Sequence, residues 1–215
     1  MMTTMSRNPK TTAAAPRRRA ERGYTLVALL ALMSILVLFA MSAAPSARQQ
    51  HERELEKESI ARGEEVADAI ALYTQYKGAP PTEFQQLLDG VDFGTKKVHI
   101  LRSSAAIDPL TNKDWKTVHP QDKVVGEFQD RVMKYTGGVV PDTRAAFFKQ
   151  FVRQITGLTD LNNEETDKAE CGEDTEPNTS GDRIIGVVSR NRCPSVLTYY
   201  GIDRHDLWVF TPLFR

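Results

Sequence analysis

Hydrophobic and polar positions follow different rhythms along this chain. Residues 23–47 contain no charged side chain, and Leu26, Leu29, Leu30, Met33, Val37 and Phe39 lie in a run of helix-compatible apolar residues that opens with Thr25 as an N-cap. As a helix rising about 1.5 Å per residue this run spans roughly 37 Å, more than the roughly 30 Å hydrocarbon core of a bilayer. Residues 46–77 have no proline and one glycine and are rich in Glu, Arg, Gln and Ala, which predicts that the helix continues. Apolar positions are sparse at first (Leu55, Ile60) and then close up as Val66, Ala69, Ile70, Tyr73 and Tyr76 near helical spacing. The first half is therefore expected to be solvated, supported by pairs such as Glu54 with Lys57 and Glu58 with Arg62, and the second half docked. Gly63 reads as a mild weak point.

Gly78 ends this pattern. Pro80 and Pro81 separate it from a short helix that Thr82 would cap and that would bury Phe84, Leu87 and Leu88. Val98, Ile100 and Leu101 suggest a strand, residues 108–114 are turn-rich, and residues 115–118 read as a return strand. Beyond that point no motif assigns the residues up to 141. Residues 142–157 are amphipathic, with Asp142 as cap and Phe147, Phe148, Phe151, Val152 and Ile155 on one face; such a stripe predicts core rather than a ligand site. Residues 160–182 are acidic and poor in apolar side chains, which predicts a flexible loop. "RIIGVVS", "SVLTYYG" and "LWVFTPLF" then read as strands of a small antiparallel sheet.

Charge adds an orientation. The 215 residues carry 28 basic and 28 acidic side chains, so net charge points to no nucleic-acid partner. Residues 1–23 nevertheless hold six basic residues against Glu21 alone, and the flank after the apolar run mixes signs, which places the N-terminus in the cytoplasm and the remainder outside. A secretory signal has an apolar core of about 7 to 15 residues, shorter than this one, so length favours an anchor. The small residues of "AMSAAPSA" mark where the alternative cut would fall.

A basic leader ending in glycine, an aromatic residue, then Thr-Leu and a long apolar stretch ("RRRAERGYTLVALLALMSILVLF") resembles the cleavage and methylation segment of type IV pilins and type II secretion pseudopilins. The resemblance implies that a prepilin peptidase cuts after Gly23, that the amine of Tyr24 is methylated, and that the apolar stretch is kept. It would serve first as a bacterial inner-membrane helix, with the C-terminal domain periplasmic, and then as filament core, packed against other pilin-like subunits by an assembly platform. Pro45 stands where many pilins bend this helix, and "DPLTNKDW" is similar to the segment that opens the pseudopilin sheet, so the resemblance covers residues 17–118. One position departs from it. The family usually has a glutamate at the fifth residue after the junction, where this chain has Ala28. A carboxylate in the bilayer costs about 2.5 to 3.5 kcal/mol, so its usual presence implies a task in assembly, thought to be neutralising a neighbour's terminal amine, and Ala28 cannot perform it. A minor pseudopilin type also lacks it.

The expected fold class is α+β and pilin-like: a long N-terminal helix, transmembrane and then exposed, packed by its C-terminal half on a small antiparallel sheet. The parts are a leader (1–23), a membrane or filament-core helix (24–47), its continuation (48–78), an α+β part (79–141), an amphipathic helix with acidic loop (142–182) and C-terminal strands (183–215). No catalytic or metal site and no cofactor is expected. His205, between Asp203 and Asp206 in "DRHD", is the one candidate for polarised imidazole or metal chemistry, and a charged turn accounts for it equally well. Some pseudopilins hold calcium in a loop comparable to the acidic one, though its spacing does not match an EF-hand. Asn178-Thr179-Ser180 matches a glycosylation sequon that means little in a bacterium. Cys171 and Cys193 either close a loop, worth about 3 kcal/mol in the chain-entropy model, or remain two thiols. The function expected is a structural subunit of a type II secretion or type IV pilus-like filament; the alternative is a single-pass anchored binding domain that does not polymerise.

Overall fold

The computed structural model describes residues 21–138, 170–178 and 182–214, with side chains in all of these except 21, 22, 42–48 and 93. The amphipathic stretch at 142–157 and the first part of the acidic loop lie outside the described residues. The chain divides into two compact units, Met1–Arg48 and Gln49–Arg215. It is a mixed α and β protein with an N-terminal apolar helix.

Helix α1, Glu21–Lys77, has Pro45 within its bounds. It stops where Gly78 takes φ +75°, a left-handed geometry that glycine reaches without strain, and the Gly78 N–H donates to the Thr74 carbonyl (2.8 Å). In the second unit its buried face is longer than the apolar pattern suggests. Glu56, Ser59, Gly63, Val66 and Ile70 succeed one another at steps of three and four, all buried, with Ala67 buried beside them. Docking thus begins at Glu56, through polar residues, and not only in the second half of the extramembrane stretch. Gly63 is no weak point: a Cβ there would overlap the ring of Phe210, so the missing side chain lets that ring press on the helix backbone.

Thr82 does not cap the next helix, α2 (Gln85–Asp89). It exchanges two bonds with the Gln86 side chain, its N–H donating to Oε1 and its Oγ1 accepting from Nε2 (3.1 and 3.2 Å). Strands β1 (Val91–Phe93) and β2 (Lys96–Val98) form a hairpin, and the predicted strand stops short of Ile100 and Leu101. The ladder ends at the Val91–Val98 pair, beyond which Gly90 turns away with φ +82°, leaving those two residues no partner. Leu101 is buried from a bend instead. Strands β3 (Ile107–Asp108) and β4 (Lys113–Asp114) close the "DPLTNKD" turn, in which Asn112 takes φ 54°.

Strand β5 (Lys116–Val118) does not return along residues 98–101; it pairs antiparallel with β6 (Gly186–Val188). Between them in sequence lies α3 (Lys123–Tyr135), an element absent from the sequence reading, whose Val125, Phe128 and Val132 are buried. Strand β7 (Pro194–Tyr199) turns at Tyr200 and Gly201, both at positive φ, into β8 (Ile202–Arg204). The expected third C-terminal strand is not one: residues 207–214 make a single bridge, Phe210 with Val187, between two 3-10 turns. In place of one small sheet, four antiparallel strand pairs stand among the described residues. Apart from the six-residue β7 these strands have two or three residues, too short a ladder for a wide sheet, and the bulky core holds the pairs together instead. Trp115, Trp208, Phe128, Phe210, Phe214 and Ile70 are fully buried there, and Trp115 meets Phe210 edge to face with centroids 5.6 Å apart.

The Gly63–Phe210 contact separates two expectations. Helix propensity alone predicts that Gly63→Ala stabilises by about 1 kcal/mol. Overpacking against Phe210 reverses the sign and destabilises by about 1 to 3 kcal/mol, read as a lower midpoint in chemical unfolding of the detergent-solubilised protein.

Candidate functional site

The first unit supplies the largest chemical anomaly. From Gly23 to Met41 the helix has a mean hydropathy of 2.5 and no residue buried, and its large apolar side chains from Tyr24 to Met41 are 56–77% exposed. Covering such side chains stabilises each by about 1.5 to 3 kcal/mol, so the segment in water would forgo on the order of 20 kcal/mol. Nineteen residues of helix rise roughly 28 Å, close to the roughly 30 Å hydrocarbon core. Its polar groups are adapted to such surroundings: the Ser34 hydroxyl donates to the Leu30 carbonyl within the helix (2.8 Å). Among the described residues this is the one helix long and apolar enough to cross a membrane.

Gly23 and Tyr24 sit at the entry of this segment, both exposed, and a Cβ placed on Gly23 would meet nothing within 4 Å. The bond between them lies in the first turn of α1, where backbone N–H groups lack helical partners and the chain opens most easily. Tyr24, 77% exposed, has the amphipathic ring found at membrane interfaces. Ala28 is exposed on the apolar surface and brings no charge to it.

His205 proves to be a buried strut. It is 4% exposed, and its carboxylate partner is neither Asp203 nor Asp206. Asp206 pairs with Arg204, while His205 Nε2 lies 3.0 Å from Oε1 of Glu56, which is 149 residues away. Glu56 also accepts from the consecutive N–H groups of Val196 and Leu197 (both 2.7 Å), which point the same way because β7 is irregular in register against β8. Nε2 faces the Glu56 carboxylate, while Nδ1 has no hydrogen-bond partner among the described residues and the ring packs edge to face on Trp208, centroids 4.9 Å apart. Glu56 was not legible as a site residue, because nothing in "RELEKESI" sets it apart from Glu54 or Glu58 except its register with Ser59 and Gly63.

Residues 170–178, the described part of the acidic loop, are tied down. Cys171 and Cys193 are joined by a disulfide, Cα atoms 4.3 Å apart, closing a 22-residue separation worth about 3 kcal/mol in the chain-entropy model. Beside it Lys116 Nζ donates to Asp174 (2.5 Å) and Glu176 (3.2 Å), and Arg192 reaches Asp174 (3.2 Å). Burial pushes the Asp174 carboxyl up, but bonds from Lys116, the Glu176 N–H and Arg192 outweigh it and bring the group down to about 2. Burial likewise opposes the Lys116 charge, and its two carboxylate partners raise it above the ordinary lysine value. These acids already have their cations in side chains, and among the described residues no cluster of three His, Cys, Asp or Glu could hold a metal ion. The Asn178 amide is engaged on both atoms, its Oδ1 accepting from the Thr117 N–H and Arg190 and its Nδ2 donating to the Trp115 carbonyl. Of the remaining histidines, His51 and His99 are exposed, and His119 is held between Thr117 Oγ1 and the Arg183 carbonyl.

No protein-family model, curated protein or solved structure matches this chain.

Truncating Glu56→Ala leaves the Val196 and Leu197 N–H groups and the buried His205 Nε2 without their acceptor and is expected to cost about 3 kcal/mol, read from the denaturant midpoint. Asp174 has a depressed folded-state pKa, so its contribution is complete above its ordinary value of 3.8 and is lost as pH falls towards about 2. Unfolding free energy should therefore drop by about 2 kcal/mol between pH 5 and pH 2 through this group, and Asp174→Asn should remove that part of the acid sensitivity.

Proposed function

We propose that the protein is a structural, non-enzymatic subunit of a type II secretion or type IV pilus-like filament, held in the inner membrane by residues 24–47 before assembly. The observation that carries this reading is the Gly23–Met41 helix, apolar on every side and uncovered. Such a surface suits both a bilayer and a bundle of like helices, because lipid tails and neighbouring apolar helices solvate it alike. The "RGYTL" junction, the continuation of α1 into a docked face, and the "DPLTNKDW" turn that gathers around Asp108 support it further. On this reading the leader is removed by a prepilin peptidase after Gly23, Tyr24 becomes the methylated N-terminus, and Gln49–Arg215 is the periplasmic, pilin-like domain. The chain would do no chemistry of its own and would be moved by the assembly platform.

Ala28 favours a second reading. Without a carboxylate at that position, the segment can serve as a permanent anchor for an exported binding domain that never polymerises. Sequencing the N-terminus of the native protein separates the two. A methylated chain starting at Tyr24 is the expected result, whereas an intact Met1 or Met2, or a start between residues 44 and 46, overturns the filament assignment.

A further inference from the structure

Residues 170–178, Glu-Cys-Gly-Glu-Asp-Thr-Glu-Pro-Asn, place no apolar side chain in the core, and Asp174 alone among them is buried. Their backbone runs antiparallel to residues 190–192: the Asp174 N–H donates to the Arg190 carbonyl and the Arg192 N–H to the Gly172 carbonyl, both at 2.8 Å. Asn178 then does for the outer edge of β5 what another strand would do. Its Oδ1 accepts from the Thr117 N–H (3.2 Å) and its Nδ2 donates to the Trp115 carbonyl (2.9 Å). Arg190 completes the attachment by donating to the Glu176 carbonyl (2.5 Å) and to Asn178 Oδ1 (2.8 Å).

These contacts, with the Asp174 ion pairs to Lys116 and Arg192, are all polar, and ordering each residue of the strap costs conformational entropy. With no hydrophobic burial to offset that cost, the covalent tie at Cys171 decides the balance. We infer that residues 170–178 are an oxidation-dependent strap: docked on the outer edge of β5 while the Cys171–Cys193 disulfide is intact, and released when a dithiol reductant opens it. Cys171 is exposed and Cys193 half-buried, so the bond is accessible from solvent. A reductant thiolate attacks one sulfur, the other cysteine leaves as thiolate, and the reductant's second thiol resolves the mixed disulfide. Two electrons and two protons pass to the protein, which ends with two thiols, and the reductant ends as its own disulfide. Release bares the Thr117 N–H and Trp115 carbonyl beside Lys116, Arg190 and Arg192, an unpaired edge with cationic flanks suited to an extended acidic chain.

Amide hydrogen exchange on the full-length protein in detergent micelles tests this, comparing the oxidised form, the dithiothreitol-reduced form and the Cys171→Ser/Cys193→Ser variant. In both thiol-free and reduced forms the amides of Asp174, Arg192 and Thr117 should exchange roughly 100-fold faster, the factor expected from losing closure of a loop this long. The amides of Val187 and Ile185, bonded to Phe210 and Val118 in the core, should change less than tenfold. Unchanged exchange at Asp174, Arg192 and Thr117 overturns the inference, because the strap then holds without the bond. Equal acceleration at all five amides also overturns it, because the disulfide then supports the whole unit and not the strap.

Discussion

A carboxylate with no exposure to water is tolerable only when every donor around it arrives together, and Asp108 imposes that condition on the second unit. It is 0% exposed and accepts from the Ser59 hydroxyl on α1, the Leu110 N–H and Thr111 hydroxyl in its own turn, and the Ser189 hydroxyl just after β6 (3.3, 3.0, 3.3 and 2.5 Å). Those donors come from three regions of the chain. Losing any one of them leaves part of a buried charge uncompensated, so helix, turn and strand register are specified jointly. Glu56 repeats the device one turn earlier on α1, where it grips β7 and His205. Ser59, three residues after Glu56 on the same helix, reaches Asp108, and one turn further on Gly63 admits Phe210.

The unit is thus held by polar clamps at one end of the docked face and by apolar packing of Val66, Ala67 and Ile70 at the other. This division suits a helix whose first part is apolar on every side. An apolar stripe along the whole of α1 would offer lipid or neighbouring helices a second surface to cover, whereas a face of Glu, Ser and Gly matches only the strands that carry its partners. Arg62 extends the same logic, donating to the carbonyls of Ser104 and Ile107 at the start of β3. The short strand pairs need no larger sheet, because the helix, the turns and the aromatic core supply the neighbours that a wide ladder would otherwise provide.

Several elements were legible before any tertiary information. The apolar run and its length, the helix end at Gly78, the break at Pro80 and Pro81 and the turn after Asp108 all follow from local chemistry that tolerates few alternatives. Helix α3 could have been read, since Val125, Phe128 and Val132 lie at helical spacing between Asp122 and Gly137. The partner of β5 could not, because its ladder joins residues about seventy positions apart and short strands carry no register signal of their own. His205 shows the same limit at a candidate site. Its neighbours in sequence, Asp203 and Asp206, suggested a polarised imidazole, but the carboxylate it meets belongs to α1, and the ring is buried.

By itself, then, the sequence determined that residues 23–41 are long and apolar enough to cross a membrane, since hydropathy and length act locally and need no partner to be evaluated. It also determined, through Ala28, that no carboxylate accompanies that segment. Only the tertiary structure decided which acids are structural. Glu56, Asp108 and Asp174 differ from the exposed Glu54 and Asp92 in burial and in the donors brought to them, and both depend on how distant segments meet. Residue identity states what a side chain can do, and the surrounding chain decides which of those things it does.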